Sequence, residues 1–306
     1  PHPTGMKELL GWIKDWNNSH PEDLVHLYGY QNVHPEKLAD NLRIYLMVND
    51  DVTEGIVKKP LREFGKSYVL SGQAEWHQRA LMEREMKKVR TVIEDRLPKW
   101  LNEAENAQQR QEAKWAVQQA ISIHEASMFI LNNTPQTADS LAAAMIRRVR
   151  NLHPGKKMVL WSNDLDISKG LSTQPGDNFI PQSTIGNLLN EAWGDKYRSI
   201  SFVAFEGTHR ATPLPRSTKH SFPITTPPQG TIEEALHEVA LQINEATFIL
   251  DLNKAARNKG PVKFLNRALP ARQIRFVPQD FSFRSSVNWT AQFDKVVFID
   301  RVEAAK

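Results

Sequence analysis

Two short polar clusters hold most of the residues that could do chemistry in this chain: Trp161-Ser162-Asn163-Asp164-Leu165-Asp166 and Phe205-Glu206-Gly207-Thr208-His209-Arg210. In the first, Asp164 or Asp166 could act as a general base or offer carboxylate oxygens to a cation. The same run of Ser, Asn and Asp also suits a helix N-cap and turn, where such side chains bind exposed backbone amides. In the second, Glu206 could orient and charge-stabilise the His209 imidazole, which titrates close to neutral pH and can take a proton. A surface histidine would read the same way. Asp166, Glu206 and His209 are the catalytic candidates, and Asn163 and Asp164 the candidates for binding in a cleft. His124-Glu125 lies inside a helical stretch and reads as structural.

Other chemistries are closed by composition. The chain has no cysteine, which removes disulfides, thiolate nucleophiles and Cys-ligated zinc or iron–sulfur sites. Glycine-rich phosphate loops, G-x-S-x-G elbows and H-E-x-x-H helices are absent. No metal and no cofactor is expected. The net charge of +4 is spread along the chain with no basic run, so nucleic acid is not an expected partner; a small molecule or a protein is. No stretch reaches the roughly 18 uncharged apolar residues of a membrane span, and no signal-peptide core follows the first residues. The expectation is a soluble protein, cytoplasmic or, if it is exported, passed through a secretion system, with its oligomeric state left open.

The elements that must position the two clusters follow from periodicity. Leu9, Trp12, Ile13 and Trp16 mark one face of an amphipathic helix that ends at the turn formers 17–21. Residues 24–28 read as a short strand, and Pro35 opens a helix carrying Leu38, Leu42 and Leu46. From 72 to 132 a dense mix of Glu, Lys, Arg, Gln and Ala around an apolar stripe predicts a long helical hairpin, kinked or broken near Pro98. Helices at 141–149, 185–193 and 232–243 then alternate with strands at 157–161, 200–205, 248–250, 274–277 and 296–299. The alternation predicts an α/β fold, a mainly parallel sheet flanked by helices with the hairpin as a subdomain. The expected divisions are 1–71 for the first α/β units, 72–132 for the hairpin and 133–306 for the rest of the core. The proline-rich stretch 210–230 reads as a surface loop at a strand end. In parallel α/β folds ligands bind at the carboxyl ends of strands, so both clusters are expected to line one cleft there.

Taken together, these segments resemble the erythromycin-esterase-like family, which includes succinoglycan biosynthesis proteins and has the EreA/ChaN-like fold. The resemblance rests on 9–17 with Leu27-Tyr28-Gly29-Tyr30, on Ala142-Ala143-Ala144-Met145 leading to Trp161, on Ile185-Gly186-Asn187-Leu188-Leu189, on Gly194-Asp195-Lys196-Tyr197 and on Phe205-Glu206-Gly207. These resemble the family's "W-x-R-x-Y-N", "W-A-H-N-x-H", "M-G-x-x-L", "G-D-x-Y" and "G-E-G" segments, in that order. Residues 248–252, Arg275 and 298–302 resemble its last strands. Gln31 stands where the family has an Asp and joins the cleft-binding candidates.

The resemblance implies a metal-independent opening of a macrolide lactone by a water that a histidine activates. That histidine comes from an amino-terminal "G-E-x-x-H-G" strand end, an acidic residue on the next strand assists, and the two histidines of "W-A-H-N-x-H" complete the site. The helix at Leu9 aligns after both upstream strands, so the principal base is expected to lie outside the sequence given. At the two motif histidines this chain has Asn163 and Asp166. An amide takes no proton near neutral pH, and a carboxylate titrates near 4. The expected function is a divergent hydrolase scaffold without ester-hydrolysing activity. The alternatives are a non-catalytic interaction protein or secreted bacterial effector, and a hydrolase with a rebuilt Asp/His site.

Overall fold

A computed structural model describes residues 4–30, 35–69, 75–132, 135–170, 183–211, 220–253, 265, 269–272 and 283–304. The chain divides into two compact units, one of Tyr28–Trp161 and one of Pro1–Leu27 with Ser162–Lys306. Among the described residues no helix is long and apolar enough to cross a membrane.

The first unit is helical: α2 (Pro35–Asn49), α3 (Asp51–Val69), α4 (Trp76–Glu103), α5 (Ala107–Asn132) and α6 (Pro135–Leu152). Leu42 and Leu46 of α2, Leu61 and Phe64 of α3, Met86 and Ile93 of α4 and Ile123 of α5 are almost fully buried in one core. Asp50 ties three of these helices together at the α2–α3 junction. Its carboxylate accepts the Thr53 N–H at 3.1 Å, the Thr53 hydroxyl at 2.8 Å and the Trp100 indole N–H at 3.0 Å. Burial pushes the Asp50 pKa up, but these hydrogen bonds and the Arg96 charge outweigh it and hold the pKa below the ordinary value.

Pro98 lies inside α4 without ending it; the turn falls at 104–106, and α5 then packs back along α4. Proline removes one backbone bond, and the buried Trp100 beyond it is anchored on Asp50, which carries the helix through. His124 joins α5 to α4 through Glu83 at 2.9 Å, and Glu125 takes both guanidinium nitrogens of Arg148 at 2.7 and 2.5 Å, joining α5 to α6.

The second unit holds α1 (Thr4–Ser19), α7 (Asp164–Ile167), α8 (Ile185–Trp193), β1 (Ile200–Ala211), β2 (His220–Ile224), α9 (Ile232–Ile243), β3 (Thr247–Asp251), β4 (Leu269–Arg272), β5 (Phe283–Val287), α10 (Trp289–Gln292) and β6 (Lys295–Val302). Its main sheet runs β2-β1-β6-β3; β4 and β5 form a separate antiparallel pair. Among the described residues β1–β6 is parallel while β1–β2 and β3–β6 are antiparallel, so the sheet is mixed and the expected mainly parallel arrangement is not found in it. Helix α9 packs on β1, β4 and β6, burying Ile232, Leu236 and Ala240. Gly207 has φ +130°, and a Cβ there would meet the Val302 carbonyl oxygen at 1.9 Å; only glycine lets β1 and β6 approach this closely.

Two expected strands are not strands. Residues 24–28 join no ladder among the described residues; the Asn17 side chain accepts the Val25 N–H at 2.8 Å and donates to the Val25 carbonyl at 3.0 Å. Residues 157–161 also lack a ladder, and Val159 and Trp161 are exposed. Conversely, part of the expected loop 210–230 is strand: β1 continues through Ala211 and β2 includes Pro223, which an edge strand tolerates because one side needs no N–H. The expected strand 274–277, with Arg275, lies outside the described residues.

Candidate functional site

The first cluster folds as a capped turn. The Asn163 carbonyl accepts the Asp166 N–H at 3.1 Å, capping α7, and its amide donates to Asp166 Oδ2 at 2.7 Å. Ser162 donates to the same oxygen at 2.6 Å. Asp164 takes the Ser201 hydroxyl at 2.6 Å, close to the amino end of β1. The Tyr197 and Ser199 hydroxyls both donate to the Ile167 carbonyl at 2.7 Å. Gly186 lets α8 sit directly on the end of α7, since a Cβ there would meet the Ile167 carbonyl carbon at 2.3 Å.

Beneath this turn Asp294 is 3% exposed. It accepts Lys169 Nζ at 2.6 Å, the Ser199 N–H at 2.7 Å and the Asn253 amide at 3.2 Å. Burial raises its pKa, but Lys169, the Ser199 N–H and Asn253 together hold it below the ordinary carboxylate value. Asp294 therefore fixes the segment after α7, the start of β1 and the residues after β3 as one framework.

The second cluster is not a loop, because β1 runs through it. Glu206 pairs with Arg301 of β6 at 3.0 Å, whereas His209 faces Phe222 of β2 in the ladder with ring centroids 6.0 Å apart. An odd spacing along a strand sends side chains to different faces, and the proposed Glu206–His209 couple has separate partners. Burial lowers the His209 pKa and the Arg272 charge lowers it further, against the opposing Phe222 backbone. The imidazole is thereby kept neutral to lower pH.

Three residues that the sequence reading missed come from α9 and β4, and of them Arg272 acts on His209 through its charge. Arg272 at the end of β4 donates its backbone N–H to Glu233 Oε1 at 2.6 Å, and its guanidinium reaches the Phe205 carbonyl at 3.3 Å and the Thr225 carbonyl. Glu233, in the first turn of α9, is 3% exposed; burial raises its pKa against the pull of the Arg272 N–H and charge. One turn on, His237 stacks on Phe205 and binds Asp300 of β6. Their signal in the sequence is a Glu and a His four apart on a helix whose other inward positions are Ile232, Leu236 and Ala240.

The two clusters do not meet in one cleft. Asp164 reaches β1 at Ser201 and His209 lies eight residues further along it, about 26 Å at roughly 3.3 Å per residue. The reason is local: without a strand at 157–161, residues 162–167 are held at the amino end of β1 by Tyr197, Ser199 and Ser201. Gln31 lies outside the described residues. Arg272 bonds Glu233 through its backbone N–H and acts on His209 through its charge, and a neutral imidazole and a carboxyl group with a raised pKa are groups suited to acid–base chemistry. Among the described residues no group of three or more His, Asp or Glu could hold a metal ion.

Comparison with known proteins places this fold. A Bacillus cereus protein of known crystal structure is 17% identical with a TM-score of 0.80, covering 98% of this chain and 72% of that one. A succinoglycan biosynthesis protein is 15% identical with a TM-score of 0.80, over 98% of this chain and 71% of that one. A mutant of the erythromycin esterase EreC in its open conformation is 16% identical with a TM-score of 0.61, over 96% and 73%. No curated protein matches. At these identities the three structures share the fold, and the family model for erythromycin esterase matches residues 2–302. The chain belongs to the erythromycin esterase family.

Proposed function

We propose that this chain is a divergent family member that keeps the hydrolase scaffold as a binding framework and does not hydrolyse esters by itself. The supporting observation is the bonding of Asn163 and Asp166, which stand where the resemblance puts two histidines. Asn163 uses both ends of its amide on residue 166, and Asp166 Oδ2 already has two donors. Neither side chain is arranged as a free base for a water nucleophile, and a positioned general base is typically worth roughly 10²–10⁴-fold in rate. The test is an assay with macrolide lactones and simple nitrophenyl esters at neutral pH. No turnover above buffer is expected; turnover that disappears on Asp166→Asn would overturn the proposal.

A second reading, a rebuilt hydrolase, is favoured by the surroundings of His209. Here the imidazole is the base and Glu233 the proton donor, with Arg272 bonded to Glu233 and its charge acting on His209. It requires turnover that survives Asp166→Asn, is lost in His209→Gln, and falls at low pH as the imidazole charges.

A further inference from the structure

The helical unit contains a cavity of about 250 Å³ lined by Tyr28, Tyr45 and Trp115 with Gln119 and Glu112. Its aromatic walls are fixed. Trp115 and Tyr28 have ring centroids 5.0 Å apart at 51°, the Tyr28 hydroxyl is hydrogen-bonded to His153 Nε2 at 2.6 Å, and Tyr45 meets Trp100 edge-on at 5.4 Å. The Glu112 carboxylate stands exposed beside them. No Lys or Arg is among the lining residues. Burial, then the charges of Glu112 and Asp50, push the Tyr45 pKa up to about 12, so the place is both desolvated and electronegative.

Two buried amide atoms of the lining lack a hydrogen-bond partner: Gln111 Nε2, whose side chain acts on Tyr28, and Gln119 Oε1. Gln119 is 8% exposed, and its Oε1 is buried without a hydrogen-bond partner. Buried polar atoms are nearly always paired, and a carbonyl oxygen can be satisfied only by a donor. Three aromatic faces, a nearby carboxylate and a buried acceptor are the features that recognise an organic cation bearing an N–H. An anion would meet Glu112 with no compensating charge. A purely apolar guest would leave Gln119 unpaired, and a quaternary ammonium ion would do the same. The volume is below the usual roughly 300–1,000 Å³ of ligand pockets, which limits the guest to a small molecule or a single head group.

We infer that this cavity binds a small protonated alkylamine, its N–H donated to Gln119 Oε1 and its charge held by the rings of Tyr28, Tyr45 and Trp115 and by Glu112. The inference is independent of the reading proposed for the α/β unit, because every residue in it belongs to the helical unit.

The experiment is an NMR titration of the full chain at constant ionic strength, following the Trp115 indole N–H signal, assigned by its loss in Trp115→Phe. Trimethylammonium, tetramethylammonium, tert-butanol and glucose are the four probes. Trimethylammonium is expected to saturate at a concentration at least about fivefold lower than tert-butanol, as cation–π attraction in a partly desolvated site implies. It should also bind more tightly than tetramethylammonium, an advantage that Gln119→Leu removes. Glu112→Gln, at an exposed position that leaves the fold intact, should weaken both cations and leave tert-butanol unchanged. Absence of any shift with trimethylammonium, equal binding of tert-butanol, or tighter binding of glucose would each overturn the inference.

Discussion

His237 lies flat on Phe205, with ring centroids 3.7 Å apart and planes 4° from parallel, while its Nδ1 is 2.5 Å from Asp300. One side chain of α9 thus clamps the parallel pair β1 and β6 together. Replacing it by alanine removes the stacking and leaves Asp300 without its imidazole partner. His237→Ala should lose about 1–2 kcal/mol in urea unfolding, and His237→Phe, which keeps the stacking alone, should lose less. Equal losses in the two variants would show that the Asp300 contact carries the effect.

Asp294 should matter more. Its removal strands Lys169 and the Ser199 N–H in a buried place, so Asp294→Ala should cost about 3–5 kcal/mol. The pH dependence has a definite sign. The folded pKa is depressed, so the contribution is present above the unfolded value near 4 and is lost as pH falls through the lower folded value. Wild type should therefore lose stability on acidification below about pH 4 more steeply than Asp294→Asn does. Parallel curves for the two proteins would refute the linkage.

Gly207→Ala should be among the most damaging small substitutions in the sheet. The position combines φ +130° with a carbonyl oxygen where the new Cβ would lie, and about 3 kcal/mol or more should be lost. Gly155→Ala is the control: its φ is +80° but nothing lies within 4 Å, so the loss should be near 1 kcal/mol. Thermal melts of the two variants side by side decide the matter.

Restoring the motif histidines should not restore chemistry. The double variant Asn163→His, Asp166→His removes the α7 N-cap and its hydrogen-bonded partner, at about 1 kcal/mol. It should fold and still fail to turn over a macrolide or a nitrophenyl ester, since catalytic residues act as a unit and two of them alone give little. Turnover by the double variant would show that the two restored histidines suffice for the chemistry.

How far the sequence speaks for the fold depends on how local each cause is. The bounds of α8 and α9 coincide with the 185–193 and 232–243 stretches read from the sequence, because a threonine N-cap and a Gly or Asn at positive φ delimit each. The apolar runs of β3 and β6 are equally plain. Residues 157–161 have the composition of a strand, but a strand also needs a neighbour, and nothing in five residues says whether one is there. Parallel or antiparallel pairing is likewise a property of the partner. At the candidate site, His209 stood out as a lone histidine at a strand end. Glu233, His237 and Arg272 did not, because they are brought to it from α9 and β4 only by the fold.

The pairing of β1 with β6 joins residues 95 apart in the chain, as Glu206 and Arg301 show. Contacts of such long separation form late, after the loop-closure entropy has been overcome, whereas α4 and α5 meet across a three-residue turn. During synthesis the helical unit is complete while β1 still waits, its central edge open, for a strand not yet made. Folding of the α/β unit therefore waits on the emergence of β6, and until that strand docks β1 presents an open edge.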